Sequence, residues 1–281
     1  MAKISFKKGV ADCLLFVIVF VVIQFFVMLT ASVIKLIWDH VNISQVMGNL
    51  ASGNDPALLA MTSVFSSVIT FMVFLKLRWT PITRTYLQSK PWLTLLWVAL
   101  FAIGAIIPLE LVYEHLGLEM DDNTSQLFEG LLKEPWGYVA VGVLAPLVEE
   151  MVFRGALLRT LLDMVSKKNH WVAIMVSAFV FGLVHGNMAQ FVNAMIMGLI
   201  LGWMYYRTKS IVPGILLHWV NNTMAFVLYN ILPQSDGKLI DIFGGNETTV
   251  YYAVGFSLCI MIPSFIQLLY RLKKEDGNNR K

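Results

Sequence analysis

The sequence predicts an all-α polytopic membrane protein, a bundle of about eight transmembrane helices around a polar intramembrane cavity. Three observations carry that expectation. Of the 281 residues, 57% are hydrophobic and only 14% charged, and the mean hydropathy is +0.68, too apolar for an ordinary soluble domain. The apolar residues gather into long runs separated by short polar loops, and one run encloses two carboxylates and a guanidinium, at Glu149, Glu150 and Arg154.

Each element follows from these runs. Residues 10–38 form the first, preceded by Lys3, Lys7 and Lys8; it exceeds the ~7–15-residue core of a signal peptide and has no clear small-residue cleavage site, so it reads as a retained helix. Spans 2 and 3 are residues 56–77 and 92–109, and span 4 is residues 137–162 with the acidic motif near its middle. Pro146 lies one turn before Glu149, where a missing backbone donor is expected to kink the helix and open the packing beside the carboxylates. Residues 171–186, 190–206, 211–231 and 250–270 complete the set. Spans near 16 residues are short for a bilayer needing about 20, so they draw on loop residues or lie deep in the bundle. With no repeat, low-complexity tract or linker, residues 1–281 read as one integral membrane domain, with its functional core in residues 137–231.

Loop charges give an orientation. Lys76, Arg78, Arg84, Lys90, Arg159, Lys167, Lys168, Arg207, Lys209, Arg271, Lys273, Lys274, Arg280 and Lys281 all fall on one side of an eight-span layout. Asp39, Asp55, Glu110, Glu114, Glu119, Asp121, Asp122, Glu129, Glu134, Asp236, Asp241 and Glu247 collect on the other, against Lys35, Lys133 and Lys238. By the positive-inside rule both ends are then cytoplasmic, in a plasma (inner) membrane. Topology accounts for the net charge of +3, so the expected partners are membrane lipids and a membrane-bound protein or peptide, with no nucleic acid. Cys13 and Cys259 each sit in an apolar run and read as small buried hydrophobes. The acidic stretch 114–135 is a candidate lid or docking loop.

Charge inside the hydrocarbon is costly and points to function. On a helix Glu150 and Arg154 are i and i+4 and share a face, whereas Glu149 points about 100° away and is left to meet other helices. Two later spans add polar groups. His185 ends Phe181-Gly182-Leu183-Val184-His185, and His218 begins His218-Trp219-Val220-Asn221-Asn222, so His218 and Asn222 share a helix face. His40, His115 and His170 fall in or beside loops. Gly198/Gly202 and Gly182/Gly186 each form a G-x-x-x-G, which would let backbones approach closely enough for the polar groups to meet.

A desolvated carboxylate holds protons more tightly, so one of the glutamate pair can take a proton from water near neutral pH, with an adjacent imidazole sharing the transfer. An imidazole and an amide on one helix face can donate to the oxyanion formed when a peptide carbonyl is attacked. The alternative way to activate water is a metal such as Zn2+ held by Glu149, His185 and His218 with one position open. The sequence has no H-E-x-x-H, and the residues leave both mechanisms open.

E-E-x-x-x-R, F-x-x-x-H and H-x-x-x-N, in that order and in separate hydrophobic spans, resemble the pattern of the CAAX-protease and bacteriocin-processing family of intramembrane endopeptidases, also called Abi or type II CAAX prenyl endopeptidases. The resemblance spans residues 137–231. It implies peptide-bond cleavage in a polar cavity, with Glu149 and His185 activating water, His218 and Asn222 as oxyanion donors and Arg154 pairing with Glu150. It leaves open a metalloprotease or a glutamate protease, and a prenylated or non-prenylated substrate. All six residues are expected to converge, with Glu149 within direct or one-water reach of His185. The competing expectation is a non-proteolytic membrane protein, a transporter or proton relay or an interaction scaffold such as a bacteriocin-immunity protein.

Overall fold

The structure is a computed structural model and describes residues 5–38, 40, 42–51, 55–81, 84–118, 120, 122–231 and 238–272. Lys3, Asp39, Glu119, Asp121, Asp236, Lys273, Lys274, Arg280 and Lys281, used above for orientation, lie outside the described residues. All regular structure among the described residues is helical, as an all-α membrane helix bundle requires.

Among the described residues, five helices are long and apolar enough to cross a membrane: α1 (Phe6–Trp38), α3 (Pro56–Lys76), α5 (Trp92–His115), α10 (Met188–Thr208) and α13 (Glu247–Arg271), whereas α2 (Ile43–Ala51), α4 (Thr85–Gln88) and α12 (Leu239–Ile242) are short. The five long helices coincide with five of the eight expected spans. The other three are helical as well, but of different character. Residues 138–164 run as π1 (Tyr138–Leu144), α7 (Ala145–Glu149), π2 (Glu150–Leu158) and α8 (Arg159–Met164) without a break. Helix α9 (His170–Leu183) has 14 residues and reaches about 21 Å, short of the ~30 Å hydrocarbon thickness. Helix α11 (Val212–Ile231) has 20 residues but carries His218, Asn221 and Asn222. The stretch 114–135, expected as a loop, contains helix α6 (Asp122–Lys133). Its following turn needs a glycine, since a Cβ on Gly137 would stand 1.7 Å from the Leu131 carbonyl oxygen.

Hydroxyls on the apolar helices return to their own backbone. Thr30, Thr62, Thr70 and Ser264 donate to the carbonyls of Phe26, Leu58, Ser66 and Ile260 at 2.7–2.8 Å, which satisfies each hydroxyl where lipid offers no partner. Both cysteines are free thiols; Cys13 is buried, whereas Cys259 is exposed on α13, contrary to the expectation of two buried residues, because its helix face points outward.

The chain divides into two compact units, Met1–Pro81 with Met120–Ser177, and Ile82–Glu119 with Ala178–Lys281. In the first, α1 and α3 pack together and both flank the π-containing helix. Phe16, Phe74 and Trp79 form a ring cluster with Trp79 centroids 5.0 Å from each phenyl, and Phe20 meets Phe153 of π2 edge to face at 5.6 Å. In the second, α5 lies against α13 and α11, and α10 against α11, around Val98, Phe101, Leu201, Met204, Leu217 and Leu268. The α5–α13 approach depends on Gly104, whose Cβ would come 2.7 Å from the Met261 nitrogen. Along α10, Gly198 and Gly202 are both buried, as their spacing predicts.

Candidate active site

The acidic motif sits where helical register changes. Ala145 N–H donates to the Ala140 carbonyl, an i→i−5 bond, immediately before Pro146. In α register the Pro146 ring would collide with the carbonyl four residues earlier; the wider π turn accommodates it, so the helix continues through Pro146 into Glu149. π segments are rare and concentrate at functional sites, and here they flank the two glutamates.

Glu150 and Arg154 are both fully buried, and Arg154 Nη1 donates to Glu150 Oε1 at 2.7 Å. This is the local i,i+4 pair the sequence predicts. A fully buried ion pair costs several kcal/mol of desolvation per ion and holds only when its geometry is good. Glu149, next in sequence, is half-buried, so the two carboxylates occupy different environments, as their ~100° separation on a helix requires.

Three side chains donate to successive odd-numbered carbonyls of π2. Thr80 Oγ1 reaches the Met151 oxygen at 2.6 Å, Ser177 Oγ of α9 reaches Phe153 at 3.0 Å, and Arg159 Nε reaches Gly155 at 2.9 Å. Arg159 also donates through Nη2 to the Trp79 carbonyl at 2.8 Å. Gly155 leaves the space that Thr80 fills: a Cβ there would stand 2.3 Å from Thr80 Cγ2. Sequence reasoning missed Thr80, Ser177 and Arg159 as partners, and Gly155 directly after the buried Arg154 was the one local signal of a close approach.

His185 lies just beyond the end of α9. Gly186 has φ +78°, so the expected Gly182/Gly186 helix face does not form; Gly186 serves the left-handed turn instead, and only Gly182 packs closely, a Cβ there falling 2.8 Å from the Phe191 ring. The signal was present in the sequence. Asn187-Met188-Ala189-Gln190 is a capping-box pattern, and Asn187 Oδ1 accepts from Gln190 N–H at 2.9 Å while its amide donates to Gln190 Oε1 at 2.6 Å, starting α10.

The turn leaves His185 well defined. Its Nδ1 is 2.8 Å from the Phe181 carbonyl oxygen, and because a carbonyl only accepts, Nδ1 carries the proton and Nε2 of the neutral ring holds the lone pair. Phe181 is buried, and its ring meets His185 at 5.0 Å and His218 at 6.0 Å, with interplanar angles of 88° and 81°. The F-x-x-x-H pattern therefore orders both imidazoles around one phenyl group. His218 is buried on α11, and Asn222 follows one turn later, its Oδ1 accepting from Asn221 Nδ2 at 3.3 Å. Within the first unit Glu150 and Arg154 come together; within the second, Phe181, His185 and His218 do. His115 is exposed and His170 half-buried, and each is bonded to a local carbonyl, Leu111 and Lys167, in keeping with their places beside loops.

A Nδ1–H bonded to a backbone carbonyl is also how metal-ligating histidines are oriented, so His185 Nε2 fits either a metal or a water. Among the described residues, no group of three His, Cys, Asp or Glu side chains has metal-site spacing.

The structure is a membrane helix bundle that carries, in its first unit, a buried ion pair on a π-containing helix and, in its second, two imidazoles ordered around one phenyl ring with an amide one turn beyond His218. Residues 131–224 match the family model described as type II CAAX prenyl endopeptidase, Rce1-like. The match encloses Glu149, Glu150, Arg154, His185, His218 and Asn222 and bears out the resemblance carried by the three motifs. Comparison with curated proteins and with solved structures gives no match.

Proposed function

We propose that this chain is an intramembrane endopeptidase that hydrolyses a peptide bond in a membrane-associated protein or peptide. The observation that carries the reading is the family match over residues 131–224, which contains every residue of the acidic, F-x-x-x-H and H-x-x-x-N motifs. Glu149 takes a proton from water, His185 Nε2 shares that duty, and the water oxygen adds to the scissile carbonyl. His218 and Asn222 donate to the oxyanion. Collapse of the intermediate expels the amine, which leaves with the proton taken from water. Arg154 pairs with Glu150 and fixes that carboxylate in place beside Glu149.

The His185 geometry also favours a second version of the same reaction. Glu149, His185 and His218 would then hold a divalent metal such as Zn2+, which when bound supplies a more acidic water and polarises the carbonyl. In either version the substrate, prenylated or not, reaches the site from the cytoplasmic side or laterally from lipid. The loop charges support a plasma-membrane protein with its basic loops and both ends cytoplasmic.

Cleavage of a membrane-anchored reporter by the purified protein in proteoliposomes tests the reading. Glu149→Gln is expected to abolish turnover while leaving the protein folded. Turnover equal to wild type would refute the assignment, and a wild-type protein that cleaves nothing but moves protons or solutes would favour the transporter. Turnover surviving exhaustive chelation selects glutamate-activated water; loss restored by Zn2+ selects the metal.

A further inference from the structure

We propose that Thr80, which lies outside the matched stretch, is a positioning residue for the acidic motif; the proposal rests on the peptidase reading. Three observations converge on it. First, Thr80 is buried and its hydroxyl donates to the Met151 carbonyl at 2.6 Å across 71 positions of sequence. Met151 directly follows Glu149-Glu150, so this bond grips the backbone beside the two carboxylates. Second, the segment bearing Thr80 is itself anchored. Helix α3 ends through Arg78 at φ +55°, with Trp79 N–H donating to the Phe74 carbonyl at 3.0 Å, and the Trp79 ring is wedged against Phe16 and Phe74. The Trp79 carbonyl then accepts from Arg159. Third, π2 is shaped to receive the threonine, because Gly155 has no side chain where Thr80 Cγ2 and Oγ1 lie.

The physical reason for such a tether is the π register. A π turn is less regular than an α turn and occurs as isolated bulges, so the helix has a ready alternative, an α-helical register in which every side chain after the shift rotates about its axis. Thr80 donates to the carbonyl just after the glutamates and Arg159 ties Gly155 to the same anchored segment. Together they hold one rotation of Glu149 and Glu150, and a catalytic carboxylate must be held to within a fraction of an ångström.

The test uses the full chain in proteoliposomes with Thr80→Val, Thr80→Ala and Thr80→Ser. Valine keeps the shape and removes the donor, alanine removes it without added bulk, and serine retains it. The expected result is a kcat lowered by roughly tenfold to a hundredfold in the valine and alanine variants, with KM unchanged. Serine restores kcat to within about threefold. Hydrogen–deuterium exchange over residues 149–158 should rise in the valine and alanine variants and stay at the wild-type level in serine. Equal kcat and exchange in all four proteins overturns the proposal, as does equal impairment of all three variants, which would mark a steric role. A wild-type chain without peptidase activity defeats the proposed function instead. The exchange comparison then decides the tether alone, faster exchange on loss of the hydroxyl upholding it and unchanged exchange overturning it.

Discussion

Phe181 and His185 are joined twice: the phenyl ring meets the imidazole edge to face at 5.0 Å, and the Phe181 carbonyl accepts the Nδ1 proton at 2.8 Å. The backbone bond sets the tautomer and the ring contact sets the tilt. Since the same phenyl ring also meets His218, one side chain orders both imidazoles. Phe181→Leu keeps an apolar side chain but loses two aromatic contacts, each worth about 0.5–1.5 kcal/mol. We expect turnover to fall at least tenfold with a modest loss of thermal stability. His185 ring NMR signals should broaden as the imidazole gains rotamers. Wild-type activity with unchanged histidine signals would contradict the ordering role.

The Glu150–Arg154 pair predicts an asymmetry between single and double substitutions. Removing one partner leaves the other as an uncompensated buried charge, at a cost of about 3–5 kcal/mol. Arg154→Met or Glu150→Gln alone should therefore reduce folded protein in the membrane sharply. The double variant, with neither charge, should recover most of that stability. Thermal denaturation in detergent measures both, and a double variant as unstable as the sum of the singles would mean that the two residues do not act as a pair.

How far the sequence spoke depended on distance along the chain. Glu150–Arg154 and His218–Asn222 were legible because one helical turn fixes which residues share a face, whatever surrounds them. The end of α9 was misread, since Gly182 and Gly186 have the spacing of a helix-packing motif, yet Gly186 takes φ +78° and the capping box at Asn187 restarts the chain. The π register around Pro146 was not legible as such: proline announces a disturbance, and whether the helix kinks or widens is decided by what packs against it. Thr80 was invisible because its partner lies 71 residues away and a threonine after a turn has no periodicity to betray it.

Loop charge predicts the sidedness of the two loops that flank the third expected span. A cysteine introduced at Ser89, beside Lys90, should react with an impermeant thiol reagent only from the cytoplasmic side. One introduced at Ser125 in α6 should react only from outside. Background is controlled with Cys13→Ala and Cys259→Ala, neither of which lies in a motif. Labelling of both sites from the same face would break the proposed orientation while leaving the helix bundle intact.

Gly155 is the most exacting position for testing how the acidic motif is held. A methyl group there would stand 2.3 Å from Thr80 Cγ2 and 2.8 Å from Thr80 Oγ1, well inside van der Waals contact, and Thr80 is buried with its hydroxyl committed to Met151. The clash can be relieved by moving the Trp79–Thr80 segment or by rotating π2. The first route is opposed by the Trp79 ring cluster and by the Arg159 bond to the Trp79 carbonyl. Rotation of π2 is opposed by Ser177 and by the buried Arg154. Overpacking of this kind costs about 1–3 kcal/mol, so Gly155→Ala should fold with a lowered melting temperature and lose most of its turnover. Combining Gly155→Ala with Thr80→Ser, which removes the Cγ2 atom at the point of closest approach and keeps the hydroxyl, should return part of both. If the double variant is no better than Gly155→Ala alone, the clash lies elsewhere and the contact with Thr80 is not what requires a glycine after Arg154.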